Sequence, residues 1–166
     1  EGLEQFESQI RDQLIFTPEN WPGLEDFFAY QATLKTTWAV LQWIDEEKEE
    51  MICDQFGVGP GDIYRHVEST QWLVYAAISI ANMLHFKKLT FALEQLRNRI
   101  RYGIKEELLE LVQLRGVGRV RARKLFDHGF KHYTDLRSVS LPKLAEVPQI
   151  GKTIAQDILQ QVATRE

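Results

Sequence analysis

Two short runs set 33 residues apart constrain this chain more than any other feature: Leu114-Arg115-Gly116-Val117-Gly118 and Val147-Pro148-Gln149-Ile150-Gly151. Apolar residues at helical spacing follow each, Ala122 and Leu125 after the first, Ala155 and Ile158 after the second. Each run therefore reads as helix, tight turn, helix. Together they predict a compact, pseudo-symmetric pair of helix-hairpin-helix motifs. Glycine permits a positive φ and lets another molecule approach the backbone closely. The helix that follows offers unpaired N–H groups and the positive end of its dipole, which suit an anion such as a phosphate.

In the first copy Val117 is expected to anchor the hairpin in the core, while Arg115, Arg119, Arg121, Arg123 and Lys124 surround it with positive charge. Gly116 and Gly118 are the backbone candidates. Such a site holds a DNA backbone without reading sequence. In the second copy Gly151 and Lys152 are the equivalent candidates, and Gln149 stands where the first glycine should be. That copy is open to either an anion contact or a purely structural role. The run Gly151-Lys152-Thr153 does not extend to a nucleotide loop. Such a loop needs an earlier glycine where this chain has Glu146, whose charge repels phosphate, and a preceding strand.

Charge follows the same division. Residues 107–166 hold 10 Lys and Arg against 7 Asp and Glu, whereas residues 1–106 hold 10 against 17, within a net charge of -4. A basic C-terminal third on an acidic body predicts an anionic partner for that third. The glycine- and proline-punctuated texture also begins there, so a domain boundary is expected near residue 106, giving domains 1–106 and 107–166.

The remainder also predicts helices, with no sustained strand alternation, and the expected fold is all-α: a helical bundle followed by the small two-hairpin domain. Residues 3–16 form an amphipathic stretch, and Thr17 to Gly23 a loop by its two prolines and glycine. A long helix is expected over Leu24 to Glu46, with Phe27, Phe28, Leu34, Trp38, Leu41 and Ile44 on its apolar side. The acidic run Asp45 to Glu50 is expected as solvated helix surface, and a short helix over Glu49 to Phe56. Gly57 to Gly61 break the chain, Asp62 opens a helix running to about His85, and another covers Phe91 to about Arg101.

The helix opened by Asp62 carries a second candidate site. At about 100° per residue, Ile63, Val67, Thr70, Val74, Ile78 and Ala81 fall on one side. Arg65, Ser69, Trp72, Ala76 and Ser79 fall on the opposite side. A tryptophan opposite the core stripe needs a reason. One is that it stacks on a base, with Arg65 two turns away beside the same strand. The other is that it packs on a neighbouring helix or domain.

Other chemistry finds little support. A composition of 44% apolar and 27% charged residues excludes disorder. The single cysteine, Cys53, excludes an internal disulfide framework and a cysteine-based zinc site. Next to His66 it is read as a buried cysteine, not a catalytic dyad. His128 and His132 have helical metal spacing but enclose Gly129, so no metal site is expected. No carboxylate pair stands out for acid–base catalysis. The longest apolar run, Trp72 to Leu84, has 13 residues interrupted by Ser79 and Asn82, short of the ~18–20 that cross a bilayer. The chain begins at Glu1, without Met and within a helical pattern, so a piece of a longer protein is expected.

Gly59 to Ala76 and Arg99 to Phe130 closely resemble the C-terminal part of archaeal fork-repair DNA helicases, in the Ski-like branch of superfamily two, to which helicase Q of animals is related. The resemblance is weaker before Leu24 and after Pro142. It implies that residues up to about 106 form the family's ratchet domain, whose long helix lies along the translocating single strand. By position, Arg65 and Trp72 match the arginine and tryptophan that contact bases there. It implies that residues from about 107 form the terminal helix-hairpin-helix domain, which grips the emerging strand, with Arg119, Arg121 and Arg123 in its arginine-rich segment.

The expected function is thus the DNA-binding module of an ATP-dependent 3′–5′ DNA helicase acting in fork repair or recombination. The polarity comes from the resemblance alone. The chain by itself is expected to be no enzyme and to hold no cofactor; ATP and Mg2+ belong to motor domains of a parent chain. Expected partners are single-stranded or forked DNA and those motor domains, with no membrane and no self-association. The expected location is cytoplasmic, at the nucleoid. Two alternatives are a sequence-specific regulator using Met51 to His66 as a helix-turn-helix, and an accessory domain of a structure-specific nuclease.

Overall fold

The computed structural model describes residues 2–15, 17, 19 and 27–164. Among them there is no strand, and the fold is all-α, as the spacing predicts. No described helix is long and apolar enough to cross a membrane. The chain divides into two compact units, Glu1–Thr70 and Gln71–Glu166.

The first unit contains α1 (Gly2–Ile10), a 3₁₀ turn (Arg11–Gln13), α2 (Phe27–Ile44), α3 (Glu49–Phe56) and the start of α4 (Pro60–Met83). The Phe6 ring stacks on Trp38 with centroids 4.9 Å apart, and Phe56 meets Trp38 edge-on at 5.2 Å. The apolar side of α2 differs from expectation. Phe27, Phe28 and Leu41 are exposed, whereas Tyr30, Leu34, Ala39, Val40, Trp43 and Ile44 are buried. The buried face turns along the helix because its partners change. Tyr30 and Leu34 join Phe6 in one cluster, while Trp43 packs edge-on against Tyr64. One straight stripe cannot describe a helix covered by different neighbours along its length. The loop expected at Thr17 to Gly23, and the start of the helix expected at Leu24, lie largely outside the described residues.

The acidic run is a chain reversal, not a helix face. Asp45 and Glu46 form a turn with Glu46 at φ 68°, and α3 begins only at Glu49. At the next break the turn is shorter than expected, because α4 starts at Pro60. Proline fits the first helical position, where its missing N–H is no loss. Asp62 thus lies inside the first turn. Its carboxylate accepts the Gly59 N–H at 2.9 Å, and that bond, with the Arg65 guanidinium beside it, holds the carboxyl below its ordinary pKa range.

The second unit contains the rest of α4, then α5 (Lys87–Tyr102), two 3₁₀ turns (Glu106–Leu108 and Leu111–Gln113), α6 (Arg119–Asp127), α7 (Tyr133–Arg137), α8 (Leu141–Ala145) and α9 (Gly151–Ala163). Helix α4 ends at Met83 and α5 begins four residues earlier than expected. His85, at φ 59°, makes the reversal between them. A single cluster of buried side chains runs from Ile104 to Val162, with Leu108, Leu111, Leu125, Leu136, Leu144 and Ile158 fully enclosed. Each such side chain contributes about 1.5–3 kcal/mol. Burial repeats at the 33-residue offset: Leu114 with Val147, Val117 with Ile150, Ala122 with Ala155, and Leu125 with Ile158. The helix leading into the first hairpin is replaced by the two 3₁₀ turns.

Candidate nucleic-acid interface

The core stripe of α4 is as the spacing predicts. Ile63, Val67, Val74, Ile78 and Ala81 are buried. Thr70 is half-buried and donates its hydroxyl to the His66 carbonyl at 2.7 Å, satisfying itself within the helix. On the opposite side of the same helix Arg65, Ser69, Trp72 and Ser79 are exposed, and Ala76 is half-buried. Trp72 is 68% exposed. That exposure decides against an indole sealed in the core of this chain. The Arg65 side chain pairs with Asp62, one turn earlier. Both members are open to solvent, so the pair holds Arg65 only weakly against a competing anion.

At the first hairpin Gly116 has φ +82°, which an L side chain rarely adopts. Gly118 differs: its φ of -93° and ψ of -172° are extended, and it caps α6. A Cβ added at either glycine would meet nothing within 4 Å, so the turn faces open space. Val117 is buried and its N–H is taken by the Leu114 carbonyl at 3.0 Å. Among the described residues the Gly118 N–H has no hydrogen-bond acceptor, so it is available at the start of α6. The Arg115 side chain is exposed, but its main chain is fully engaged: its N–H donates to Gln161 Oε1 at 2.7 Å and its carbonyl accepts from Gln161 Nε2 at 3.1 Å.

The basic residues around this turn divide into two groups. Arg121 donates to the Gly116 carbonyl at 2.7 Å and the Gln149 carbonyl at 3.1 Å. Arg123 bonds Glu107 at 2.9 Å, lies 3.8 Å from Asp127 and covers the Phe126 ring. Burial alone would raise the Glu107 carboxyl, but the Arg123 bond, a backbone hydrogen bond and the Arg123 and Lys105 charges together hold the group below its ordinary pKa. These two arginines act inside the fold. Arg119 and Lys124 are half-buried, and Lys152 is exposed.

In the second hairpin Gln149 adopts φ 67°, the counterpart of Gly116, and Gly151 has φ 55°. A side chain therefore stands where the first hairpin leaves open space. Gly151-Lys152-Thr153 opens α9 after the turn that follows α8. This helix–turn–helix setting does not fit a nucleotide loop.

The remaining candidates have internal partners. His128 Nδ1 lies 2.7 Å from the Lys124 carbonyl and His132 Nδ1 2.8 Å from Glu110. Cys53 is half-buried, not fully buried, and burial together with nearby carboxylates pushes its thiol pKa up. No group of three metal-binding side chains occurs among the described residues.

Helix α5 is strongly basic. Its 16 residues hold five cations and one anion, a local excess hidden by the acidic average of residues 1–106. Arg97 lies over the Tyr75 ring, 5.0 Å from its centroid.

Comparison with known proteins agrees with this geometry. A family described as a SAM-like helix-hairpin-helix tandem matches residues 108–164. An ATP-dependent DNA helicase Hel308 of Methanocella arvoryzae is 36% identical over 93% of this chain, covering 21% of its own length. The proteins of the same description from Pyrococcus horikoshii and Pyrococcus abyssi are 38% and 39% identical over 95% and 94% of this chain, covering 22% and 21% of theirs. The chain thus spans about a fifth of the length of these curated relatives. A model described as archaeal helicase, domain 4, matches residues 1–103, more than half of the chain, and the chain belongs to that family.

Proposed function

We propose that this chain is the DNA-binding module of an ATP-dependent DNA helicase. In this reading a single strand lies along α4, with a base stacked on Trp72 and its neighbours beside Ser69 and Arg65. The first hairpin holds the backbone further on, through the Gly118 N–H, the dipole of α6, and the charges of Arg115, Arg119 and Lys124. Arg121 and Arg123 shape that hairpin from within. The observation that carries the reading is the exposed Trp72 on the side of α4 opposite its buried stripe. An uncharged ring that size on a wet helix face costs exposed apolar area unless it has a partner, and base stacking gains about 1–3 kcal/mol per base.

The finer reading places the module in a 3′–5′ enzyme of fork repair or recombination, at the nucleoid, as a monomer. The chain itself turns over no nucleotide, and ATP and Mg2+ belong to motor domains of a longer parent. The functional division falls near residue 106. The ends of the two family matches, at 103 and 108, and the separate core from Ile104 to Val162 support it. Gly151 and Lys152 serve the second hairpin as structure first, since the Gln149 side chain stands in the approach to its backbone.

One observation favours a second reading. The turn between α3 and α4 has only three residues, Gly57 to Gly59, a length that suits a helix-turn-helix. The start of α4 argues against it, because the side chains that would read bases are engaged. Tyr64 donates to Glu49 at 3.0 Å, and Asp62, itself acidic, accepts from the Gly59 N–H. Titrating single-stranded, duplex and forked DNA at two salt concentrations separates the readings. The module binds single-stranded or forked DNA with little sequence preference and a strong salt dependence. A preference above ~10³ for one duplex sequence supports the regulator instead.

A further inference from the structure

Two cross-contacts join α4 to α5 within the second unit. Arg97 covers the Tyr75 ring, and Thr90 donates to Asn82 at 3.3 Å. The members of each pair stand equally far from Phe86 in sequence, so the two helices run antiparallel. Arg101, one turn beyond Arg97, is therefore level with Gln71 and Trp72. Tyr75 is 52% exposed and lies one turn from Trp72 along α4. Arg97 and Arg101 are both exposed, and among the described residues neither has an acidic partner. Arg101 rests over its neighbour Tyr102, 5.3 Å from the ring centroid. Both guanidinium groups are thus oriented by aromatic rings while their N–H groups stay open to solvent. Glu94 is the only carboxylate on this helix.

A ring beneath a guanidinium restricts its rotamers without using its donors, so the fork is presented ready for an oxyanion. We infer that Arg97 and Arg101 bind successive backbone phosphates of the DNA strand whose base stacks on Trp72, with Tyr75 as the platform that positions Arg97. The inference rests on the stacking proposed above and extends it from one helix to two. It gives the basic α5 a purpose that its position in an acidic half conceals.

Salt titration with an oligothymidylate tests this apart from the stacking itself. Each phosphate neutralised on a single strand contributes about 0.7 to the slope of log K against log salt. Arg97→Ala and Arg101→Ala each reduce the slope by about that amount. Arg97→Lys keeps the slope, which a loss of fold would not allow. Tyr75→Leu keeps the slope but weakens binding, because the charge remains and its positioning is lost. Trp72→Ala weakens binding at every salt concentration and leaves the slope unchanged. An unchanged slope in Arg97→Ala overturns the phosphate site. Unchanged affinity in Trp72→Ala overturns the stacking, so the two failures are distinguishable.

Discussion

The Arg121 guanidinium donates to the Gln149 carbonyl at 3.1 Å while also bonding the Gly116 carbonyl at 2.7 Å, so one side chain joins the turns of both hairpins. Bonds from a charged donor to main-chain carbonyls are stronger than neutral ones. Partial exposure reduces their worth. Arg121→Met is expected to lower the stability of the two-hairpin unit by about 1–2 kcal/mol, read by thermal or urea denaturation. Lys152→Met, at an exposed position, is expected to leave it within about 0.5 kcal/mol. Equal stability of the two variants would show that Arg121 is not the link.

Gln149 holds a left-handed conformation at φ 67° with a Cβ attached. That conformation costs an L residue roughly 1–2 kcal/mol, and glycine returns part of it through greater freedom of the unfolded chain. Gln149→Gly is expected to raise stability by about 0.5–1 kcal/mol. It restores the open turn of the first copy, so it is also expected to strengthen DNA binding if the second hairpin is occluded by that side chain. A destabilised variant contradicts this account.

The two glycines of the first hairpin have different jobs, and alanine separates them. Gly116→Ala, at φ +82°, strains the turn and is expected to cost about 1–2 kcal/mol of stability. Gly118→Ala, in extended backbone with open space around it, is expected to leave stability near that of the parent sequence. Its methyl group stands beside the exposed N–H, so DNA affinity falls while the melting curve does not move. Parent-like affinity in Gly118→Ala removes the backbone-phosphate contact from the account.

His132 supplies a pH dependence. Its Nδ1–H donates to Glu110 at 2.8 Å, and that bond with the carboxylate charge raises the imidazole pKa above its ordinary value. The folded chain therefore holds the proton more tightly than the unfolded one. The stabilisation is fully present below about pH 6.5, the unfolded value, and is lost as pH rises through the folded one. Melting temperatures taken from pH 6 to pH 8 are expected to fall, and His132→Gln to flatten that part of the profile. An identical slope in the variant contradicts the assignment.

The sequence made the hairpins legible because their evidence is local: glycines, a buried valine or isoleucine between them, and a helical spacing that follows. The stripe of α4 was legible for a similar reason, since Ile63 to Ala81 face one side throughout. In α2 the burial of Ala39 and Trp43, and the exposure of Phe28, depend on which neighbour covers which turn, and that is a tertiary fact. The engagement of Arg121 and Arg123 was equally hidden. Charge counting treats every arginine as available, whereas Glu107 and the Gln149 carbonyl, distant in sequence, decide otherwise. Arg97 escaped notice because the acidic average of the first 106 residues masked a basic helix within it.

Trp72→Ala most directly tests the claim that unpaired bases stack on α4. The residue is exposed, so the substitution is expected to change stability by less than about 0.5 kcal/mol. Fluorescence titration with an oligothymidylate is expected to show affinity reduced about 5- to 150-fold, with most of the DNA-induced tryptophan quenching gone. An affinity and a quench equal to those of the parent sequence, in a variant that melts normally, would contradict the account.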